Sequence, residues 1–205
     1  MARDTVGQVR RDHSAIEPPR RTGLGRGAFP PRRNGPVDSR MARIAALDEQ
    51  LLRQLVRLRV GPATFVLRAL CRVLDPPRIA LVICALIFGG PVAGDVANHF
   101  FWALMATSIF VVVIKRAVRR TRPAIDIQAL DPPDRYSFPS GHSAAAFALA
   151  IAMFGAVPLL APVLIVVASL VAYGRMYLGV HYPLDVLAGV GIGVFTGSIV
   201  ALLPI

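Results

Sequence analysis

Apolar and polar positions divide this chain unevenly. From residue 79 onward, long apolar runs alternate with short polar breaks. A helix needs ~20 residues to cross a bilayer core. Five spanning helices are therefore expected, near 79–96, 98–118, 142–156, 158–177 and 184–203. The third is short and begins inside a polar motif. The fifth carries Gly189, Gly191, Gly193 and Gly197. Small residues there let helices approach closely where lipid offers no hydrophobic drive between them. The stretch 119–141 is too polar to cross, with Arg119, Arg120, Arg122, Asp126, Asp131, Asp134 and Arg135. A second polar stretch covers 175–185. Two crossings separate the two stretches, so both emerge at one face.

Upstream the pattern changes. Ile44, Leu47, Leu51, Leu55 and Leu58 recur at spacings of three or four, and Arg53, Arg57 and Arg59 fall elsewhere. This predicts an amphipathic helix over 41–59 lying in the membrane interface. A packed cytosolic hairpin is the alternative. Gly61-Pro62 breaks it, a second short helix covers 63–74, and Asp75-Pro76-Pro77 ends that. Residues 1–40 show no period. Proline, glycine and paired arginines dominate there, and such a segment cannot bury enough surface to offset its ordering entropy. We expect a disordered arm. With no apolar run after the charges, neither a secretory nor a twin-arginine signal is expected. The predicted fold class is all-α: a bundle of about five transmembrane helices with an N-terminal interfacial amphipathic helix. Its parts are an arm at 1–40, interfacial helices at 41–78 and a transmembrane domain at 79–205.

Composition agrees. The chain is 55% hydrophobic with a mean hydropathy of +0.57, too apolar for an ordinary soluble domain. Its net charge is +11, and most of the arginine lies in the first 78 residues. Cys71 and Cys84 have neither the spacing nor the context of a disulfide.

Three short segments carry the chemistry. Lys115 is the one lysine among 23 basic residues. It lies seven residues before Arg122, so the two share a helix face if the helix continues. Pro123 marks its end. A lysine and an arginine aimed at one point clamp a phosphoryl group. The alternative is a basic cluster that touches only lipid headgroups. Pro139-Ser140-Gly141-His142 precedes an alanine-rich helix. Ser140 and Gly141 would offer backbone N–H groups to an anion at the helix N-terminus. His142 could protonate a leaving oxygen. His181 and Asp185 are four apart and point the same way if that turn is helical. A carboxylate bonded to one ring nitrogen bares the other as nucleophile. Arg175, six residues before His181, can hold phosphate oxygens. Taken singly, the last two segments could also be ordinary interfacial histidines satisfied by caps and carboxylates.

Together these residues resemble the type 2 phosphatidic acid phosphatase superfamily, whose pattern is K-x6-R-P, then P-S-G-H, then S-R-x5-H-x3-D. Lys115, Arg122 and Pro123 match the first part, Pro139 to His142 the second, and Arg175, His181 and Asp185 the third. Gly174 stands where the pattern has serine. The resemblance covers 115–193 by motif and 79–203 by architecture. It implies a hydrolase in which His181 attacks phosphorus and forms a phosphohistidine. Asp185 would orient His181. His142 would protonate the leaving oxygen and then activate water. Lys115, Arg122 and Arg175, with N–H groups around Ser140 and Gly141, would hold the equatorial oxygens. No metal and no cofactor is expected, because three fixed cations supply the charge.

The expected partners are the bilayer and a lipid phosphate. The runs Arg135–His142 and Met176–His181 look like those of members acting on polyisoprenoid phosphates or diphosphates, with phosphatidic acid and phosphatidylglycerophosphate as alternatives. No nucleic acid is expected, since the arm lacks aromatic interleaving apart from Phe29. A non-catalytic anionic-lipid-binding protein is the competing class. The expected location is a bacterial inner membrane. With five spans, the arm and both motif loops share a side that holds every lysine and arginine, and the positive-inside rule predicts a cytoplasmic site. Many bacterial relatives have six spans and a site facing outward.

Overall fold

The computed structural model describes residues 36–73, 75–123 and 134–204. The arm at 1–35 and the loop carrying Asp126 and Asp131 lie outside the described residues. Those described form seven helices and no strand beyond one isolated bridge, Thr121 to Tyr136. The helices are α1 (Pro36–Arg57), α2 (Gly61–Val73), α3 (Pro76–Ile87), α4 (Pro91–Val118), α5 (Gly141–Ala156), α6 (Ala161–Tyr177) and α7 (Pro183–Ala201). Helix α1 thus begins upstream of the expected residue 41 and takes in residues 36–40 of the arm expected to be disordered.

The first expected helix break, at residue 97, is misplaced. The chain turns at Phe88–Gly90 instead. Gly90 has φ 90°, a left-handed conformation suited to glycine, and Pro91 starts α4 with its fixed φ. Asp95 and His99 lie inside α4, where the ring Nδ1 of His99 bonds the Asp95 carbonyl at 2.8 Å. Two helices, α4 with 28 residues and α7 with 19, are long and apolar enough to cross a membrane; α5 and α6 are apolar but shorter.

Helix α5 is the centre of the bundle and packs against α4, α6 and α7. Its alanines leave little side chain in the way, and α7 meets them with glycine. A Cβ at Gly189 would strike the Ser140 carbonyl, one at Gly193 the Ala144 carbonyl, and one at Gly197 would stand 2.7 Å from the Ala148 carbonyl. Backbone contact this close is how apolar helices gain packing energy without a hydrophobic drive. Thr107 and Thr196 add a hydroxyl hydrogen bond of 2.7 Å between α4 and α7.

Helices α1 and α2 pack on α6 and α7. Of the predicted stripe, Ile44, Leu47 and Leu51 on α1 and Leu58 just after it are exposed and Leu55 is half-buried, whereas Asp48 and Leu52 are buried. The Arg59 Nε donates to the Tyr177 carbonyl (2.7 Å), and Val60 N–H donates to the Tyr177 hydroxyl (2.6 Å). Asp48, Arg59, Val60 and Asp75 all meet one end of the bundle, where α4 ends, α5 begins and α6 ends. At the other end, near the end of α5, a Cβ at Gly155 would meet both the His99 ring of α4 and the Ala201 carbonyl of α7.

Candidate active site

The turn between α6 and α7 presents His181. Gly179, with φ 73°, reverses the chain, and Leu178 and Val180 bury themselves on either side. His181 is 1% exposed. Its Nδ1–H donates to the Ser137 carbonyl at 2.8 Å. That bond sets the tautomer and leaves the lone pair on Nε2, which lies 3.4 Å from Arg122 Nη1. The expected carboxylate–imidazole hydrogen bond is replaced here. Asp185 Oδ2 stands 3.8 Å from Nδ1, beyond hydrogen-bond range. The Asp185 oxygens are engaged elsewhere: Oδ2 accepts Tyr182 N–H (2.9 Å) and Oδ1 accepts Arg120 Nη1 (2.7 Å). Asp185 therefore acts on His181 as a buried charge. Burial pushes the His181 pKa down to about 3, the Arg175 and Arg122 charges push the same way, and Asp185 opposes them. The imidazole is neutral at physiological pH.

Lys115 and Arg122 converge, but not along a continuous helix. Helix α4 ends at Val118, and Arg119 turns the chain with φ 51°. Arg122 returns on an extended segment bridged to Tyr136. Both cations meet on Asp134. Lys115 Nζ lies 2.9 and 3.1 Å from its carboxylate oxygens, and Arg122 Nη2 lies 2.6 Å from Oδ1. Arg122 also donates to the Val180 carbonyl (2.8 Å) and the Asp134 carbonyl (2.8 Å). Burial raises the Asp134 pKa, and the bonds from Lys115 and Arg122 more than reverse this, leaving it below the ordinary carboxylate value.

Arg175, in the last turn of α6, is 0% exposed; among the described residues no oxygen acceptor meets its three guanidinium nitrogens, and its polar neighbour is the Cys71 thiol. A buried unpaired cation is costly, and an anion would relieve the cost. Gly174, the departure from the motif, has a local reason. A Cβ there would come within 3.0 Å of Cys71 Sγ on α2.

Ser140 caps α5. Its hydroxyl accepts Ser143 N–H at 3.4 Å and pairs with the Ser143 hydroxyl at 2.8 Å. The backbone N–H of Ser140 donates to the Asp185 carbonyl (2.9 Å), so it is not one of the amides offered to an anion. Gly141 and His142 open the helix behind it. His142 Nε2 lies 3.2 Å from Asp75 Oδ1, in the turn between α2 and α3. Asp75, Asp134, Ser137, Arg120 and Asp48 were not expected at the site. Only Asp134 had a usable signal, since it opens the Asp134-Arg135-Tyr136-Ser137 run before the Pro139 motif. Among the described residues, no three His, Cys, Asp or Glu side chains group as a metal site.

A buried neutral imidazole and clustered cations at one end of an apolar bundle define a class of phosphate-handling membrane protein. Residues 97–204, just over half the chain, match the family described as the PAP2 superfamily, and the chain belongs to that family. Over 107 residues it is 42% identical to a decaprenylphosphoryl-5-phosphoribose phosphatase of Mycobacterium tuberculosis, covering 48% of this chain and 59% of that relative. The match thus spans less than two thirds of the relative's length. The fold is similar to that of Aquifex aeolicus LpxE (TM-score 0.65, 28% identity), over 76% of this chain and 94% of that one. It is also similar to the first transmembrane PAP2-type phosphatidylglycerolphosphate phosphatase from Bacillus subtilis (TM-score 0.64, 24% identity, 77% and 84% covered).

Proposed function

We propose that this protein is an integral membrane phosphatase that hydrolyses the phosphate ester or diphosphate of a lipid, with a polyisoprenoid chain as the favoured lipid. The observation that carries the reading is Arg175, buried with no carboxylate bonded to it among the described residues, close to a neutral histidine whose Nε2 lone pair faces Arg122. In the proposed reaction, Nε2 of His181 attacks phosphorus in line and the bond to the leaving oxygen breaks. His142 gives that oxygen a proton. It then takes a proton from water, which attacks the phosphohistidine, breaks the N–P bond and releases phosphate. Arg175, Lys115 and Arg122 hold the equatorial oxygens, with the amides at the start of α5. Charge stabilisation at those oxygens is the main source of rate. Lys115 and Arg122 exchange Asp134 for the phosphate as substrate enters. Asp185 stabilises the positive charge that His181 acquires.

The polyisoprenoid preference is supported by the mycobacterial relative, whose name specifies a decaprenylphosphoryl substrate. We read α3 to α7 as five crossings, α3 with its 12 residues being shorter than a full span and completed by the Phe88–Gly90 turn, with α1 and α2 in the interface and the site on the cytoplasmic face. In support of this, both ends of the segment from Asp48 to Asp75 meet the same end of the bundle.

The test is phosphate release by purified, detergent-solubilised protein in EDTA. Substrates are polyprenyl diphosphate, polyprenyl phosphate, phosphatidic acid and phosphatidylglycerophosphate, with His181→Ala alongside. Release in EDTA that vanishes in the variant is expected, fastest on the polyprenyl substrates. Release that persists in His181→Ala overturns the nucleophile. No release from any lipid by folded wild type overturns the phosphatase reading.

A further inference from the structure

Asp48 is the anomaly of α1. A carboxylate, 2% exposed, faces the bundle while leucines on the same helix are exposed. A buried carboxylate is costly unless fully paired, and an apolar residue there would dock the helix as well. Both of its oxygens are engaged. Oδ1 accepts the N–H of Leu184 at 2.9 Å, and Oδ2 accepts Arg120 Nη2 at 2.6 Å. Leu184 is in the first turn of α7, where N–H groups lack intrahelical partners. Asp48 thus caps α7 from a different helix, at the positive end of its dipole. Arg120 is itself fixed on three sides. Its second nitrogen, Nη1, bonds Asp185 Oδ1 at 2.7 Å, and its guanidinium lies 4.1 Å from the centre of the Tyr182 ring. The line Asp48–Arg120–Asp185 therefore ends on the carboxylate that lies 3.8 Å from His181.

We infer that Asp48, on a helix outside the family-matched segment, is a positioning residue for the reaction: through Arg120 it holds Asp185, and with it the turn that presents His181, in the reactive geometry. Without Asp48, Arg120 has one carboxylate left to bond, and the Asp185 charge shifts relative to the imidazole. The N-terminal helix then completes the site. This rests on the phosphatase reading above.

The experiment compares wild type, Asp48→Asn, Arg120→Lys and Glu49→Gln on the best lipid of the panel. Asp48→Asn keeps the shape of the side chain, and Arg120→Lys keeps the charge without the fork. Each is expected to lower kcat about tenfold or more with KM within about twofold, the signature of lost orientation. Glu49→Gln removes the exposed pair with Arg53 and leaves every hydrogen bond of Asp48 and Arg120 in place, so it keeps wild-type rates. The decisive arm is Asp48→Asn combined with Asp185→Asn. If Asp48 acts through Asp185, the double variant is no slower than Asp185→Asn within about twofold. An equal loss from Asp48→Asn in both backgrounds marks a merely structural role and overturns the inference. So does wild-type kcat in Asp48→Asn. Where that variant is lost to aggregation, Arg120→Lys, alone and with Asp185→Asn, decides by the same criteria. An inactive wild type defeats the phosphatase reading instead, and this inference with it.

Discussion

Arg175 trades stability for binding. Its guanidinium is fully buried beside the Cys71 thiol, with no carboxylate bonded to it among the described residues, so removing its charge should help the fold and end the reaction. Arg175→Met is expected to release no phosphate above background. Its thermal midpoint in phosphate-free buffer should rise by a few degrees, at about 2–4 °C per kcal/mol for a chain of this size. A fall in the midpoint would mean that Arg175 is held by the protein itself. His181 gives the matching pH effect. Its pKa is about 3 when folded, against an ordinary value of 6.5. Between those values the unfolded chain binds the proton and the folded chain does not. Stability from this group is therefore complete above pH 6.5 and is lost as pH falls toward 3. Midpoints measured across that window should fall less steeply for His181→Gln than for wild type. Equal slopes would argue against a neutral buried imidazole. At this scale, the motif spacings pointed to Lys115, Arg122, His142, Arg175, His181 and Asp185 as candidates, but Lys115 and Arg122 meet through the turn at Arg119 and Asp134 rather than along one helix face. The Ser137 carbonyl that holds His181 was not legible, since a backbone atom leaves no mark in the residue code. Nor was the pairing of Asp48 with Arg120, because no periodicity links positions that far apart.

Helices α5 and α7 are held at backbone distance, and the two carry His142 and Asp185. The glycines of α7 should therefore divide sharply by face. A Cβ at Gly193 meets Phe147 Cβ at 2.9 Å and the Ala148 amide at 3.0 Å, whereas at Gly191 nothing lies within 4 Å. Gly193→Ala is expected to destabilise by about 1–3 kcal/mol through overpacking and to slow turnover by moving α7 away from α5. Gly191→Ala, the same change two residues away, should be neutral or stabilise by up to about 1 kcal/mol through helix propensity. Thermal midpoints of the two variants check this, and equal effects would deny the close approach. The glycine pattern was readable before the fold, and so were the apolar runs that became α3 to α7. The boundary between α3 and α4 was misread for a physical reason. Gly89-Gly90-Pro91 ends a helix without lowering hydropathy, while the polar Asp95 and His99 lower it inside a continuous helix.

For the whole molecule, charge and architecture make the same argument about orientation. Lys115, Arg120, Arg122 and Arg175 belong to the end of the bundle that carries the site. Arg59, on the linker after α1, bonds Tyr177 at that end too. At the other end are the Phe88–Pro91 turn, the turn between α5 and α6, and the end of α7, with no lysine or arginine among them. Basic residues flanking spans stay in the cytoplasm. With the five crossings proposed above, the site would lie inside and the turn between α5 and α6 outside. Two single cysteines test this in a background carrying Cys71→Ala and Cys84→Ala. Leu159→Cys, at a position 87% exposed in the outer turn, should react with an impermeant thiol reagent in intact cells. Arg40→Cys, exposed on α1, should react only after the cells are permeabilised. The reverse pattern would turn the site outward. Labelling of both in intact cells would add a crossing that the contacts of Asp48, Arg59 and Asp75 leave no length of chain to make.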